Sequence, residues 1–234
     1  MVVYSKYYVG ENMQSPNYII LDLEWNLPIS KSRTVRNPIL LSGEIIQIGA
    51  VKTDMDLNII DKIDIMIKPK YYTKMNKFVT DLTLITDEDL KSGISFKEAI
   101  TQFRQWCGDD CIWFTWGPED IAMIKRNLTI HDMSCDWLPE NFDAQLMFDD
   151  YVTCENRSFS LDYARFKFGI KGNLSHDALN DALATCEVMK RLDVNQWVIE
   201  EREYRQELLE YEDDYNTNPD EVCDDEEDQF MEES

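Results

Sequence analysis

Residues 18–25, Tyr-Ile-Ile-Leu-Asp-Leu-Glu-Trp, form an apolar, β-branched run interrupted by two acids and ended by Asn26 and Pro28. Such a run reads as a buried strand. Positions i and i+2 of a strand share a face, so Asp22 and Glu24 project together while Leu23 points away. Two carboxylates on an apolar strand repel one another and are costly to desolvate. Either they occupy a solvent-exposed strand end, or a hard divalent cation binds their oxygens.

Outward from this strand, Glu44–Thr53 and Asn58–Lys68 read as two more strands, and the short Asp54–Leu57 link makes them an antiparallel hairpin. Ser30–Asn37 is basic and turn-rich, the composition of a loop. Thr86 with Asp89, and Ser95 with Glu98, are capping-box pairs that open helices. Cys111–Thr115 is a short apolar strand, and Pro118 then suits the start of a helix to about Asn127. Further helices are expected over Ser160–Phe168 and Asp177–Leu192. Three strands, a helix, a strand and then helices predict an α/β fold, a mixed central sheet flanked by helices.

The chain has 234 residues and a formal net charge of −23. From Glu200 to Ser234 seventeen acids face two arginines, a local net of −15 that leaves −8 for residues 1–199. That balance gives no support to a broad basic binding face. The expected organisation is a leader at 1–16, a folded domain at 17–195, a charged helix at 196–211 and a disordered acidic tail at 212–234. The tail reads either as a solvated appendage or as a polyanion mimic that screens the domain's cleft. Six cysteines without a CxxC pair, and only two histidines, argue against structural zinc and for reduced thiols. No apolar stretch approaches a membrane span, so the expected location is cytoplasmic.

Two further stretches carry acids. In Trp116-Gly-Pro-Glu-Asp120 a strand turns through Gly117 into a helix whose first turn holds Asp120. The helix macrodipole favours an acid there with or without a function. In His176-Asp-Ala-Leu-Asn-Asp181-Ala182, a five-residue step prevents His176 and Asp181 from sharing a helical face. They converge only if His176 precedes the helix and Asp177 caps it, with small Ala178 and Ala182 letting that helix approach the sheet. Four carboxylates from these places would suit a two-metal phosphodiester hydrolysis site, and a neutral imidazole suits proton removal from water.

The set D-x-E, W-G-x-x-D and H-x-A-x-x-D-A, in this order over roughly residues 17–193, resembles the DEDDh branch of the 3′→5′ exonucleases. That superfamily includes RNase T and the DNA polymerase III epsilon subunit, and the similarity is greatest to its Eri1/KapD-like group. The resemblance implies an RNase H-like fold and two Mg²⁺ or Mn²⁺ ions held by Asp22, Glu24, Asp120 and Asp181. It makes His176 the general base, and Leu23 and Trp25 contacts for the terminal nucleotide. It further implies release of nucleoside 5′-monophosphates from single-stranded 3′ ends, of RNA more than DNA. A proofreading-type activity on DNA and a catalytically silent binding fold are the alternatives. One departure stands out: in Asp81-Leu-Thr-Leu-Ile-Thr86, Leu84 occupies a position where the family pattern has glycine.

Overall fold

A computed structural model describes residues 15–153, 155, 157–171 and 176–217, with side chains to residue 212. Most of the expected leader and the end of the expected tail lie outside these residues. The chain divides into two compact units, residues 1–192 and 193–234.

The first unit is built on a six-stranded sheet. Its strands are β1 (Asn17–Asn26), β2 (Glu44–Thr53), β3 (Ile59–Lys68), β4 (Ile94–Ser95), β5 (Cys111–Thr115) and β6 (Asn141–Asp143), in the order β4-β3-β2-β1-β5-β6. β1, β2 and β3 form an antiparallel meander, while β5 runs parallel to β1 and β6 parallel to β5. The two shortest strands, β4 and β6, escape a reading of the sequence because two or three residues carry no periodicity. The sheet is mixed and flanked by helices, as predicted.

Both faces of β1 are covered, which explains why its sequence is apolar almost throughout. Ile19, Leu21 and Leu23 pack into the main core with Ala99, Ile100 and Phe103 of helix α3 (Phe96–Cys107) and Ile124 and Leu128 of helix α4 (Glu119–Ile130). The two remaining helices of the N-terminal half are α1 (Lys77–Thr83) and α2 (Asp87–Ser92). Both predicted capping boxes are present, Thr86–Asp89 on α2 and Ser95–Glu98 on α3. α1 was not foreseen, although Asn76 caps it by accepting the Phe78 N–H.

Leu84 ends α1 in the left-handed conformation with φ 63°. The backbone therefore keeps the turn that the missing glycine would serve, and the leucine side chain points into solvent. For a residue with a Cβ that conformation costs roughly 1–2 kcal/mol.

After β6 come α5 (Ala144–Phe148), a π-helical turn at Asp149–Thr153, α6 (Leu161–Phe168) and α7 (Ala178–Met189). α7 lies against the sheet at Gly49 of β2. A Cβ built on Gly49 would stand 2.0 Å from the Leu179 nitrogen and 2.2 Å from the Ala178 carbonyl carbon. Ala178 and Ala182 are fully buried on the same helix. A close approach of α7 to the sheet thus needs glycine on one side and alanines on the other.

The second unit contains helix α8 (Val194–Thr217), which runs past residue 211, the end expected from the sequence. Hydrogen-bonded side-chain pairs four residues apart, Gln196–Glu200, Arg205–Glu201 and Gln206–Glu210, support it along its surface. No helix among the described residues is long and apolar enough to cross a membrane.

Candidate active site

The carboxyl ends of the parallel strands β1 and β5 lie at one edge of the sheet, where sites in such folds form. β1 delivers Asp22 and Glu24 to that edge. β5 leads through Gly117, whose φ of +90° requires glycine, directly into α4 and Asp120. α7, pressed onto Gly49, brings Asp181 over the same place, because Gly49 is the register partner of Asp22.

Carboxylate oxygens of Asp22, Glu24 and Asp181 all lie within 4.8 Å of one another. Asp120 stands just outside that triad. Its Oδ1 accepts the Leu23 N–H at 3.1 Å, which ties the α4 N-terminus to the site strand between the two β1 acids. Asp120 is buried, whereas its neighbour Glu119 is exposed.

The four acids are strained electrostatically. Burial, then the charges of Asp120, Glu24 and Asp181, hold Asp22 well above the usual carboxylate range. Burial and the charge of Asp181 lift Glu24 to about 8. Burial raises Asp120 to about 7 despite the Leu23 hydrogen bond, and Asp181 to about 6 despite the nearby Arg165. A compact, buried all-oxygen donor set in which Asp22 and Glu24 feel their neighbours' charges fits a hard divalent cation.

His176 precedes α7, as its separation from Asp181 required. Asp177 caps the helix by accepting the Asn180 N–H at 3.0 Å. Gln47 of β2 holds this turn to the sheet, donating to Asp177 at 3.2 Å and accepting the Ala178 N–H at 3.4 Å. His176 is exposed and lines two adjoining cavities that also share Asp22 and Asp181. The other histidine, His131, is buried and stacked on Phe96, and burial lowers its pKa to about 4. Only His176 faces the acids.

One cavity extends from the acids past Leu23 and Trp25 to Leu27, Phe78 and Leu82, so α1 forms its outer wall. Phe78 is 65% exposed there. Trp25 serves two settings at once: it lines this cavity and packs on the edge of the main core. The second cavity runs toward Trp116, Leu161 and Asp162. Sequence reasoning missed Gly49, Gln47 and the α1 wall. The wall had a signal, since Asn76 precedes apolar residues at helical spacing, Val79 and Leu82.

Residues 37–189 match the RNase_T family, described as "Exonuclease"; Asp22 and Glu24 lie upstream of that span. The Bacillus subtilis protein named "Probable 3′-5′ exonuclease KapD" is 23% identical over 190 residues, which cover 80% of this chain and 90% of the relative. A PolC-type DNA polymerase III of Thermotoga maritima is 29% identical over 148 residues, 63% of this chain but 10% of the polymerase. Among solved structures, the nuclease domain of 3′hExo, a DEDDh family member bound to rAMP, superposes with a TM-score of 0.65 at 16% identity, covering 76% of this chain and 91% of that one. Exonuclease I of E. coli in complex with a dA16 oligonucleotide gives 0.59, also at 16% identity, covering 76% of this chain and 40% of that one. At such identities the likeness speaks for the RNase H-like fold. Because the match at residues 37–189 spans well over half the sequence, the chain belongs to the RNase_T exonuclease family.

Proposed function

We propose that this exonuclease removes nucleotides singly from the 3′ end of single-stranded RNA, with Asp22, Glu24, Asp120 and Asp181 holding two divalent ions and His176 as general base. The observation that carries this is the meeting of Asp22, Glu24 and Asp181 within 4.8 Å beside Asp120, in a cleft that His176 also lines. Bound there, Mg²⁺ or Mn²⁺ supplies Lewis-acid charge stabilisation to phosphodiester displacement.

The chain's own residues do the rest. His176 is exposed to the cleft, so its imidazole can take a proton from the water that attacks the terminal phosphorus. The bond to the 3′ oxygen of the preceding nucleotide breaks, that oxygen takes a proton from solvent water to leave as a 3′-hydroxyl, and the product is a nucleoside 5′-monophosphate. Trp25, Leu23 and the α1 wall hold the terminal nucleoside, with aromatic stacking at about 1–3 kcal/mol per base.

The 3′hExo likeness supports RNA, since that neighbour is seen with rAMP and a related structure concerns recognition of a histone mRNA stem-loop. The Exonuclease I complex with dA16 favours the alternative, DNA. Single strands labelled at the 5′ end, in ribo and deoxyribo forms of one sequence, decide between them. With Mg²⁺, the wild type should give a ladder shortening from the 3′ end, faster on RNA, and abolished by EDTA or by Asp22→Ala. Internal cutting or full activity in EDTA would overturn the mechanism. A faster ladder on the deoxy strand would reverse the substrate assignment.

A further inference from the structure

Forty-six acids and twenty-three cations give this chain a net charge of −23, yet two segments contain no acid at all. Residues 25–43 carry Lys31, Arg33 and Arg36; residues 65–80 carry Lys68, Lys70, Lys74 and Lys77. The fold brings these segments together. The Tyr72 hydroxyl accepts the Val35 N–H at 3.1 Å and donates to the Leu41 carbonyl at 2.6 Å. Ile29, Arg33, Tyr71, Tyr72, Thr73 and Lys74 line one concavity. All seven cations are exposed. Lys77 pairs with Asp81, whereas Lys31, Arg33, Arg36, Lys70 and Lys74 form no ion pair among the described residues.

The backbone beneath Lys70 and Lys74 is pinned. The buried Glu44 carboxylate accepts the N–H groups of Lys70, Tyr71 and Tyr72. The buried Asn26 side chain donates to the Tyr72 and Lys74 carbonyls, both at 2.8 Å, and accepts the Asn76 N–H at 2.9 Å. Asn26 is also the last residue of β1, two positions beyond Glu24. The cleft's outer wall reaches Leu27 and Phe78, and the basic concavity starts close by in sequence, at Ile29 and Lys74. The Asn76 side chain donates to the Pro28 carbonyl at 3.0 Å and so joins the segments that line both hollows, one bearing acids and the other cations.

We infer that this acid-free surface, centred on Arg33 and Lys74, binds the phosphates of the substrate strand upstream of its 3′ end. The inference rests on the nuclease reading of the adjoining cleft. Unpaired guanidinium and ammonium groups, the latter on an anchored backbone, suit a polyanion that must cross an otherwise repulsive protein. Tyr71, half-buried with the Lys70 ammonium 5.0 Å from its ring centroid, adds an aromatic surface beside the cations. Recognition is of phosphates, so the surface should accept ribo and deoxyribo strands alike.

The test uses the full chain with Arg33→Glu and Lys74→Glu combined, and the milder Arg33→Gln, Lys74→Gln pair as a check on folding. Anisotropy of a fluorescein-labelled single-stranded eicosamer, measured in EDTA, reads binding without turnover. Charge reversal should weaken binding by roughly tenfold, and the slope of log K against log salt should become shallower by about 0.7 for each phosphate no longer neutralised. The glutamine pair should fall between. In turnover assays, KM for the eicosamer should rise while a dinucleotide is cleaved as by the wild type. Unchanged binding and slope would overturn the inference, as would equal losses on dinucleotide and eicosamer. If the wild type binds strands with this salt dependence but cleaves nothing, the nuclease reading fails and the strand surface stands.

Discussion

Gly49 faces Asp22 across the β1–β2 pair and lies directly under the Ala178–Leu179 backbone. One missing side chain thus sets the height of α7 above the strand that carries two of the acids. Gly49→Ala forces α7 away from the sheet, because the approaches at 2.0 Å and 2.2 Å are to backbone atoms that cannot rotate aside. Overpacking of this kind costs about 1–3 kcal/mol, and a 1 Å displacement of a catalytic group costs on the order of 100-fold in rate. Calorimetry should record a folded protein with a lower Tm, and the ladder assay a far larger loss of turnover. Wild-type turnover in Gly49→Ala would mean that α7 does not position the site.

Stability should depend on pH and on divalent ions together. Glu24, Asp120 and Asp181 have pKa values of about 8, 7 and 6 in the folded chain, against about 4 when unfolded. Groups raised in this way favour the fold fully below the unfolded value, and that contribution is lost as pH rises through the folded value. Metal-free protein should therefore lose Tm between about pH 4 and pH 8. Saturating Mg²⁺ should restore it most at the alkaline end, with proton release on binding measurable by calorimetry in two buffers. A metal-free Tm that stays flat across this range would refute the electrostatic picture of the cluster.

His176 lines the cleft but lies outside the carboxylate triad. His176→Ala is expected to keep the Mn²⁺-induced rise in Tm and to lose about 10²- to 10⁴-fold in kcat, the usual worth of a general base. Loss of the Mn²⁺ response instead would make His176 a ligand.

Phe78 stands largely exposed on the α1 wall. Phe78→Ala should raise KM by about 5- to 150-fold, the equivalent of one stacked base, with little change in Tm. An unchanged KM would remove α1 from substrate binding.

The central strands and the long helices are legible in the sequence because their signals are local. An apolar β-branched run marks β1, capping boxes mark α2 and α3, and Asp177 marks the start of α7. The helical period also required His176 to precede α7, as it does. What stayed hidden depends on partners distant in sequence. Gly49 sits within an unremarkable strand until α7 lands on it, and Asn26 reads only as the polar end of β1. Ser30–Asn37 reads as a basic loop, but nothing local shows that it meets the basic stretch Lys68–Lys77. Pairings between residues far apart in the chain leave no periodic trace.

Asn26 is fully buried, and its amide makes four hydrogen bonds, to Leu27, Tyr72, Lys74 and Asn76. The floor of the acidic cleft and the neighbouring basic loop are thereby bolted to a single side chain. A rearrangement of one surface must therefore break contacts that hold the other. Asn26→Ala should disturb the acidic cleft and the basic loop together rather than either one alone.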